Sequence, residues 1–413
     1  MSSELLKLQP LPGRAAVVCN PDTPRVKQVV SALAKLGAAS PKLISYEDLL
    51  DGSIDLSRVI EAGAVVRLEA PGKHFQTELK LIALGESGSE VEGSYRVSKQ
   101  KLAELATQPE AGEIIAPRQW YHGWRHLLDR ISVQLANAPL HVLMNYPTDV
   151  ALMFDKPTCH QALELLQLPQ PRCFGIVRSY EELRELIRRE CCKRLFLKIA
   201  NGSSASGIVA YQTDGRIRHL ATTSVELSEA GLHAGPSGGT RLYNSRRIRV
   251  YDDERTIARL VDALGGHWLH VEEWLPKANI HGKNFDLRVV VINRKVSHSA
   301  ARLSRSPMTN LHLLNERMDG SEIRKIIPER TWTEIVRSCE RAMSEQFPRT
   351  LYAGFDVLVD RTMRKHAIAE VNAFGDHLNG ILHEGRSTHE VEYLDAFETD
   401  RDNRSERPAE IMP

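Results

Sequence analysis

The segments Gly354-Phe355-Asp356-Val357-Leu358-Val359-Asp360 and Ile368-Ala369-Glu370-Val371-Asn372 read as two apolar strands flanking a polar turn at Arg361-Thr362. Each carries isolated oxygen-bearing side chains among residues that belong in a core. Glu370 and Asn372 are two positions apart, so on a strand both point to one face. Asp356 falls on the neighbouring strand. Two carboxylates and an amide oxygen suit Mg²⁺, whose octahedron is completed by waters and phosphate oxygens. Taken singly, Asp356 reads equally well as a strand-end acid in a surface salt bridge. Glu370 and Asn372 read equally well as a half-buried polar edge.

Arg194-Leu-Phe-Leu-Lys198-Ile-Ala200 reads as a strand, followed by the small-residue loop Asn201-Gly202-Ser203-Ser204-Ala205-Ser206-Gly207 and a second strand, Ile208–Gln212. Small residues let backbone N–H groups approach phosphate oxygens. A P-loop would need GxxxxGK[ST] running into a helix; here the lysine precedes the loop and the loop joins two strands. An ordinary surface turn fits the loop alone. Lys198 inside an apolar strand shifts that balance, because a buried lysine requires an anionic partner. Farther upstream, Phe154-Asp155-Lys156-Pro157 opens a helix with Asp155 as cap. Alone, Lys156 is a solvated first-turn lysine.

The chain has 413 residues, enough for two or three structural units. A hydrophobic content of 42% supplies proper cores, and a net charge of +1 gives no electrostatic case for nucleic acid or an acidic membrane. No apolar run approaches the roughly 20 residues of a membrane span, and no signal peptide is apparent at the N-terminus. The six cysteines form no CxxC pair, and Cys191-Cys192 are adjacent. Reduced thiols and a cytoplasmic location are expected.

Residues 14–19 read as a buried strand, and a helix to about Leu36 starts in Thr23-Pro24 chemistry. Strands follow at Lys42–Ser45 and Ala64–Leu68, giving a small α/β unit with a parallel sheet. Gly85–Gly93 reads as a Gly/Ser/Glu loop, and Trp120–Trp124 opens a helical region to about Ala138. A second unit begins near His141. From Thr399 the chain turns polar, which predicts a disordered tail.

Between the lysine hairpin and the C-terminal strands lie His270-Val271-Glu272-Glu273-Trp274-Leu275, then Phe285-Asp286-Leu287-Arg288 and a strand running to Arg302, then Thr309-Asn310-Leu311-His312. Residues 141–390 carry these motifs in one order and resemble the ATP-grasp superfamily. The likeness is greatest to the branch of ribosomal-protein S6 glutamate ligases, lysine-biosynthesis carrier ligases and glutathione synthetases. The whole chain also resembles a little-characterised bacterial ATP-grasp family. The resemblance implies an α/β N-terminal (pre-ATP-grasp) domain over 1–140 and an α+β ATP-grasp fold. The latter has a central subdomain over 141–275 and a C-terminal one over 276–395, which clamp ATP. Residues 396–413 would form the disordered tail.

Carried over residue by residue, the resemblance implies that Lys156 and Lys198 contact phosphates, Lys198 also lying near adenine. The backbone of Asn201–Gly207, with Gly202, Ser203, Ser204 and Gly207, would cover the β- and γ-phosphates. Glu272 would accept from the adenine amino group, and Glu273, Trp274 and Leu275 would read the ring edge. Asp286 would bind ribose. Arg288 and Arg302 would face the transferring phosphate, with Asn310 beside the acceptor. Asp356, Glu370 and Asn372 would hold one or two Mg²⁺, with Mn²⁺ as an alternative ion.

The departures lie near the substrates. Lys198-Ile199 replaces Lys-Pro, Leu313-Leu314 replaces Gly-Gly, and Ala373-Phe374-Gly375-Asp376-His377 replaces a Ser/Thr-Pro-Gly turn. His298, His377 and His383 show no metal-ligand spacing, and core packing suits His267 and His270. Leu227–Val250 reads as an enlarged loop returning into a basic strand with Arg241, Arg246, Arg247 and Arg249. Either that strand presents a solvated face, or its guanidinia recognise an acidic substrate.

The expected function is an ADP-forming carboxylate–amine ligase acting through an acyl phosphate. Its partners would be a carboxylate substrate and an amine acceptor, a peptide among the candidates, with no nucleic acid and no membrane. An ATP-dependent small-molecule kinase and a non-catalytic ATP-binding scaffold are the alternatives.

Overall fold

The computed structural model describes residues 14–405 apart from 73, 108–109, 111, 203–205, 230–239 and 375–377. The first sheet is built from β1 (Arg14–Cys19), β2 (Lys42–Ser45), β3 (Ala64–Leu68) and β4 (His141–Leu143) in the order β2-β1-β3-β4, all parallel. Strands of a parallel sheet are covered on both faces, which explains the apolar run of β1 after Arg14 and that of β3, interrupted by the buried Arg67. The helix Pro24–Lys35 starts where Thr23 accepts a bond from the Val26 N–H, with proline in its first turn.

The second sheet holds β5 (Cys173–Val177), β6 (Arg194–Ile199), β7 (Ile208–Thr213), β8 (His219–Glu229), β9 (Thr240–Tyr251) and β10 (Leu269–Glu273), ordered β5-β10-β6-β7-β8-β9. The third holds β11 (Asn279–Ile280), β12 (Lys283–Ile292), β13 (Lys295–Ser304), β14 (Glu316–Asp319), β15 (Tyr352–Val359) and β16 (His366–Asn372), ordered β14-β13-β12-β15-β16 with β11 on β12. Both are antiparallel.

The first and third sheets share one apolar core, in which Val18, Val66 and Trp124 are continuous with Phe285, Leu287, Phe355 and Val357. The second sheet packs its own core of Leu195, Leu197, Tyr211, Leu260 and Val271, joined by Ile114. Under the first sheet lies a sealed ion cluster. Arg67 donates to Glu69 at 2.5 Å and to Glu392 at 2.7 Å. Its guanidinium stands 4.5 Å from the centre of the Tyr352 ring.

Three expectations need correction. β4 pairs with β3 and completes the first sheet, so that unit extends past residue 140. Residues 86–92 form a helix rather than a loop. Tertiary packing overrides their weak propensity: a Cβ on Gly85 would fall 1.9 Å from the Gln119 carbonyl, so only glycine permits this approach to the helix Pro117–Ala136. The expected tail is helical as far as Ser405, in the helix Thr388–Ser405. Ala396 and Phe397 are buried there, which holds the element down.

Candidate active site

The third sheet brings the predicted acids and arginines into register. Arg302 on β13 faces Asp286 on β12, Arg288 on β12 faces Asp356 on β15, and Asp356 faces Glu370 on β16. The contacts follow that register. Arg302 Nε donates to Asp286 Oδ1 at 2.8 Å, and its NH2 lies 3.1 Å from Asp356 Oδ2. Arg288 Nε lies 2.9 Å from Asp356 Oδ1. All four groups are buried.

Opposite this row, Lys156 at the start of the helix Lys156–Leu165 reaches Glu370 at 3.1 Å and donates to the Gly202 carbonyl at 2.5 Å. Lys198 on β6 donates to Glu272 on β10 at 2.6 Å. A small cleft beside Lys156 and Glu370 is lined by Lys156, His160, Glu272, Ile368 and Glu370 among others.

Electrostatics keep the acids ionised. Burial would raise the Glu272 carboxyl, but the Lys198 charge and the neighbouring His270 hold it down at about 2. Glu370 is likewise held below the ordinary range by Lys156 and Lys198 against the effect of burial. Burial pulls Lys277 below the usual lysine range although it lies 3.1 Å from Asp286.

For Mg²⁺ the donor set fits. Asp356 Oδ1 is buried and, beyond its ion pair with Arg288, makes no hydrogen bond among the described residues. Glu370 adds a second carboxylate across the strand pair. Asn372 spends its Nδ2 on the Gly354 carbonyl at 3.4 Å, which leaves Oδ1 as an acceptor for a hard cation.

The hairpin is formed as expected, with Lys198 opposite Ile208. Gly207 has φ +66°, and a Cβ there would meet the Ile199 side chain at 2.1 Å. Ser203 and Ser204 lie outside the described residues. Glu273 ends β10, and Trp274 and Leu275 follow it. The Trp274 ring packs on Phe196 and under the Arg194 guanidinium. Asn310 precedes the short 3₁₀ turn Leu311–Leu313.

Asp286 differs from expectation. Its oxygens are taken by Arg302, Lys277 and the Thr309 hydroxyl, so in this structure it orients an arginine rather than facing a ribose. Asp155 stands at the cap position, but its carboxylate accepts from Arg118 at 3.1 Å instead of capping the helix. On the basic strand, Arg241 is paired with Glu110 and Glu113, and Arg249 with Glu226. Arg246 and Arg247 are exposed.

Sequence reasoning missed Arg118. This buried residue also donates to Asn201 at 2.9 Å, tying the helix Pro117–Ala136 to both the glycine loop and the approach to Lys156. It missed Lys277 and His160 as well. A charged residue inside the apolar side of a helix was the available signal for Arg118.

No protein-family model matches the sequence, and comparison with curated proteins gives no match. Solved structures do match over nearly the whole chain. The ATP-grasp ligase PsnB, complexed with a phosphomimetic variant of its minimal precursor, Mg and ADP, aligns with a TM-score of 0.51 at 16% identity, covering 94% of this chain and 99% of that one. D-cycloserine synthetase DcsG aligns at 0.52 and 12% identity, covering 93% and 100%. The ADP complex of the purK N5-carboxyaminoimidazole ribonucleotide synthetase aligns at 0.52 and 12%, covering 94% and 78%. At such identities the likeness is one of fold. The parallel N-terminal sheet followed by two antiparallel sheets aligns with these structures over nearly its whole length, and the chain has the ATP-grasp fold.

Proposed function

We propose that the chain is an ADP-forming carboxylate–amine ligase that works through an acyl phosphate. The observation that carries this reading is the row Arg302, Asp286, Arg288, Asp356 and Glu370 across the third sheet, facing Lys156 and Lys198 from the other wall.

A substrate carboxylate oxygen attacks the γ-phosphorus of ATP, and the bond to the bridging oxygen breaks to release ADP. The amine lone pair then attacks the acyl carbon, and the C–O bond to phosphate breaks. The difficulty of the first step is that two anions must meet. Arg288 and Arg302 offset that charge; the hydrogen bond to Asp286 orients the Arg302 guanidinium, and Asp356 holds Arg288 by charge. Lys156 and Lys198 hold the phosphates from the opposite wall, exchanging their carboxylate partners for phosphate oxygens. Mg²⁺, held by Asp356, Glu370 and Asn372, would supply a Lewis acid that draws charge from the phosphate oxygens. The glycine loop keeps water from an intermediate that would otherwise hydrolyse. The acid and the amine are small molecules or peptides.

The test is nucleotide turnover by purified protein with Mg·ATP and a low-mass bacterial extract, with hydroxylamine as a trap for the acyl phosphate. ADP, phosphate and a hydroxamate should form with wild type, and Glu370→Ala should lower the rate at least about 100-fold. AMP as the product would refute the acyl-phosphate route. ADP formed with no amine consumed and no hydroxamate would identify a kinase instead.

A further inference from the structure

One wall of the cleft gathers nitrogen ligands that phosphoryl transfer does not require. His270 and Glu272 are two apart on β10 and so share a face. His160 stands one turn after Lys156 on its helix and comes against them. The rings of His160 and His270 are 5.5 Å apart. One ligand atom from each of His160, His270 and Glu272 lies within 4.8 Å of the other two.

His270 is fully buried, and among the described residues its Nε2 makes no hydrogen bond, although Glu272 Oε1 stands 3.0 Å away off the N–H direction. A buried polar atom left in that state is costly. An ion bound to both atoms would satisfy them together. The two carboxylate oxygens are already divided, with Oε2 taken by Lys198 and Oε1 turned to the histidine. Behind the ring, Cys173 Sγ lies 3.8 Å from His270 Nδ1, the kind of outer contact that fixes a ligating imidazole.

We propose that His160, His270 and Glu272 bind a transition-metal dication of the Zn²⁺ class in the nucleotide-free cleft. Two imidazoles and one carboxylate leave a fourth position for water, which is zinc chemistry. Mg²⁺, which prefers oxygen donors, belongs to the other set. Metal–ligand distances of about 2.0–2.2 Å require the three side chains to draw together by small torsional changes. Because Glu272 lines the cleft and partners Lys198, the ion and the nucleotide exclude one another. That last consequence rests on the nucleotide reading; the metal site itself does not.

The full chain, stripped of metal, is titrated with ZnCl₂ by calorimetry and with CoCl₂ by visible absorption. One saturable equivalent is expected, with the d–d bands of four-coordinate cobalt. His160→Ala should weaken binding at least 100-fold, His160→Cys should restore most of it, and His126→Ala, at an exposed histidine on the helix Pro117–Ala136, should change it less than 3-fold. The metal-free melting temperature of each variant checks its fold. Absence of saturable binding, or equal affinity in His160→Ala and wild type, overturns the site. Mg·ADP should then raise the apparent Kd for zinc in proportion to its concentration. Zinc binding indifferent to bound nucleotide overturns the exclusion. Zinc binding in a protein that takes no nucleotide upholds the site and sinks the ligase reading.

Discussion

The Arg67 cluster under the first sheet and the charges facing Lys156 in the cleft are both buried ion networks, but they are closed to different degrees. Arg67, Glu69 and Glu392 have side chains at most 2% exposed, and their arginine is covered by the Tyr352 ring. Lys156 and Glu370 remain 10% and 24% exposed, and both line open space. In the first network the ions are held by one another and by Arg25 and His389 at its edge. In the second, the partner of Lys156 is a carboxylate that Mg²⁺ would claim, so the pairing can be exchanged for phosphate. A closed network holds a fold together, while one opening on a cleft is poised for a ligand.

Breaking the closed network should have the largest effect on stability. Arg67→Met leaves two carboxylates in the interior without their guanidinium, and the expected loss is about 3–5 kcal/mol. Urea unfolding measures it, and a loss below about 1 kcal/mol would show that water reaches the cluster. Nucleotide affinity of the folded fraction should be unchanged.

Histidine sharpens the contrast. His267 is fully buried, its ring nitrogens have no hydrogen-bond partner among the described residues, and burial lowers its pKa to about 4. His270, three residues on, is raised to about 9, because Cys173 and Glu272 outweigh burial. A lowered histidine favours the neutral folded form, so its stability contribution is complete above the unfolded value near 6.5. It is lost as pH falls toward 4, approaching roughly 3 kcal/mol. His267→Phe should flatten the stability profile across that window. An unchanged slope would mean that the ring is hydrated.

The smallest expected effect is on the open network. Lys156→Met should cost less stability than Arg67→Met, since Lys198 remains beside Glu370 and the pair borders the cleft. It should weaken Mg·ATP binding about 10- to 100-fold through loss of a charge-assisted contact. Calorimetry and urea unfolding of the same variant give both numbers. A large stability loss with intact affinity would reverse the assignment of the two networks.

Much of this was legible in the chain because strand period and residue chemistry coincide. Asp356, Glu370 and Asn372 stand out as oxygen donors in apolar runs, and Lys198 marks its hairpin. The strands Lys42–Ser45 and Ala64–Leu68 follow from apolar content alone. What stayed hidden depends on distant partners. Arg67 sits in an apolar strand, and its partner Glu392 is 325 residues away. His160 reads as a helix-surface residue until β10 packs against it. Asp286 looks like a ligand-facing acid until Arg302 and Lys277 occupy its oxygens.

The path of the chain between its cores has a further consequence. The body around the first and third sheets is interrupted by the excursion from β5 to β10, which packs largely on itself. The ends of that excursion meet: Cys173 pairs with Glu272, and the Glu273 N–H donates to the Arg172 carbonyl at 2.8 Å. Entry and exit are therefore neighbours, as in a cassette spliced into a host. Such a segment can be exchanged, shortened or circularly permuted without moving the point at which the host chain resumes.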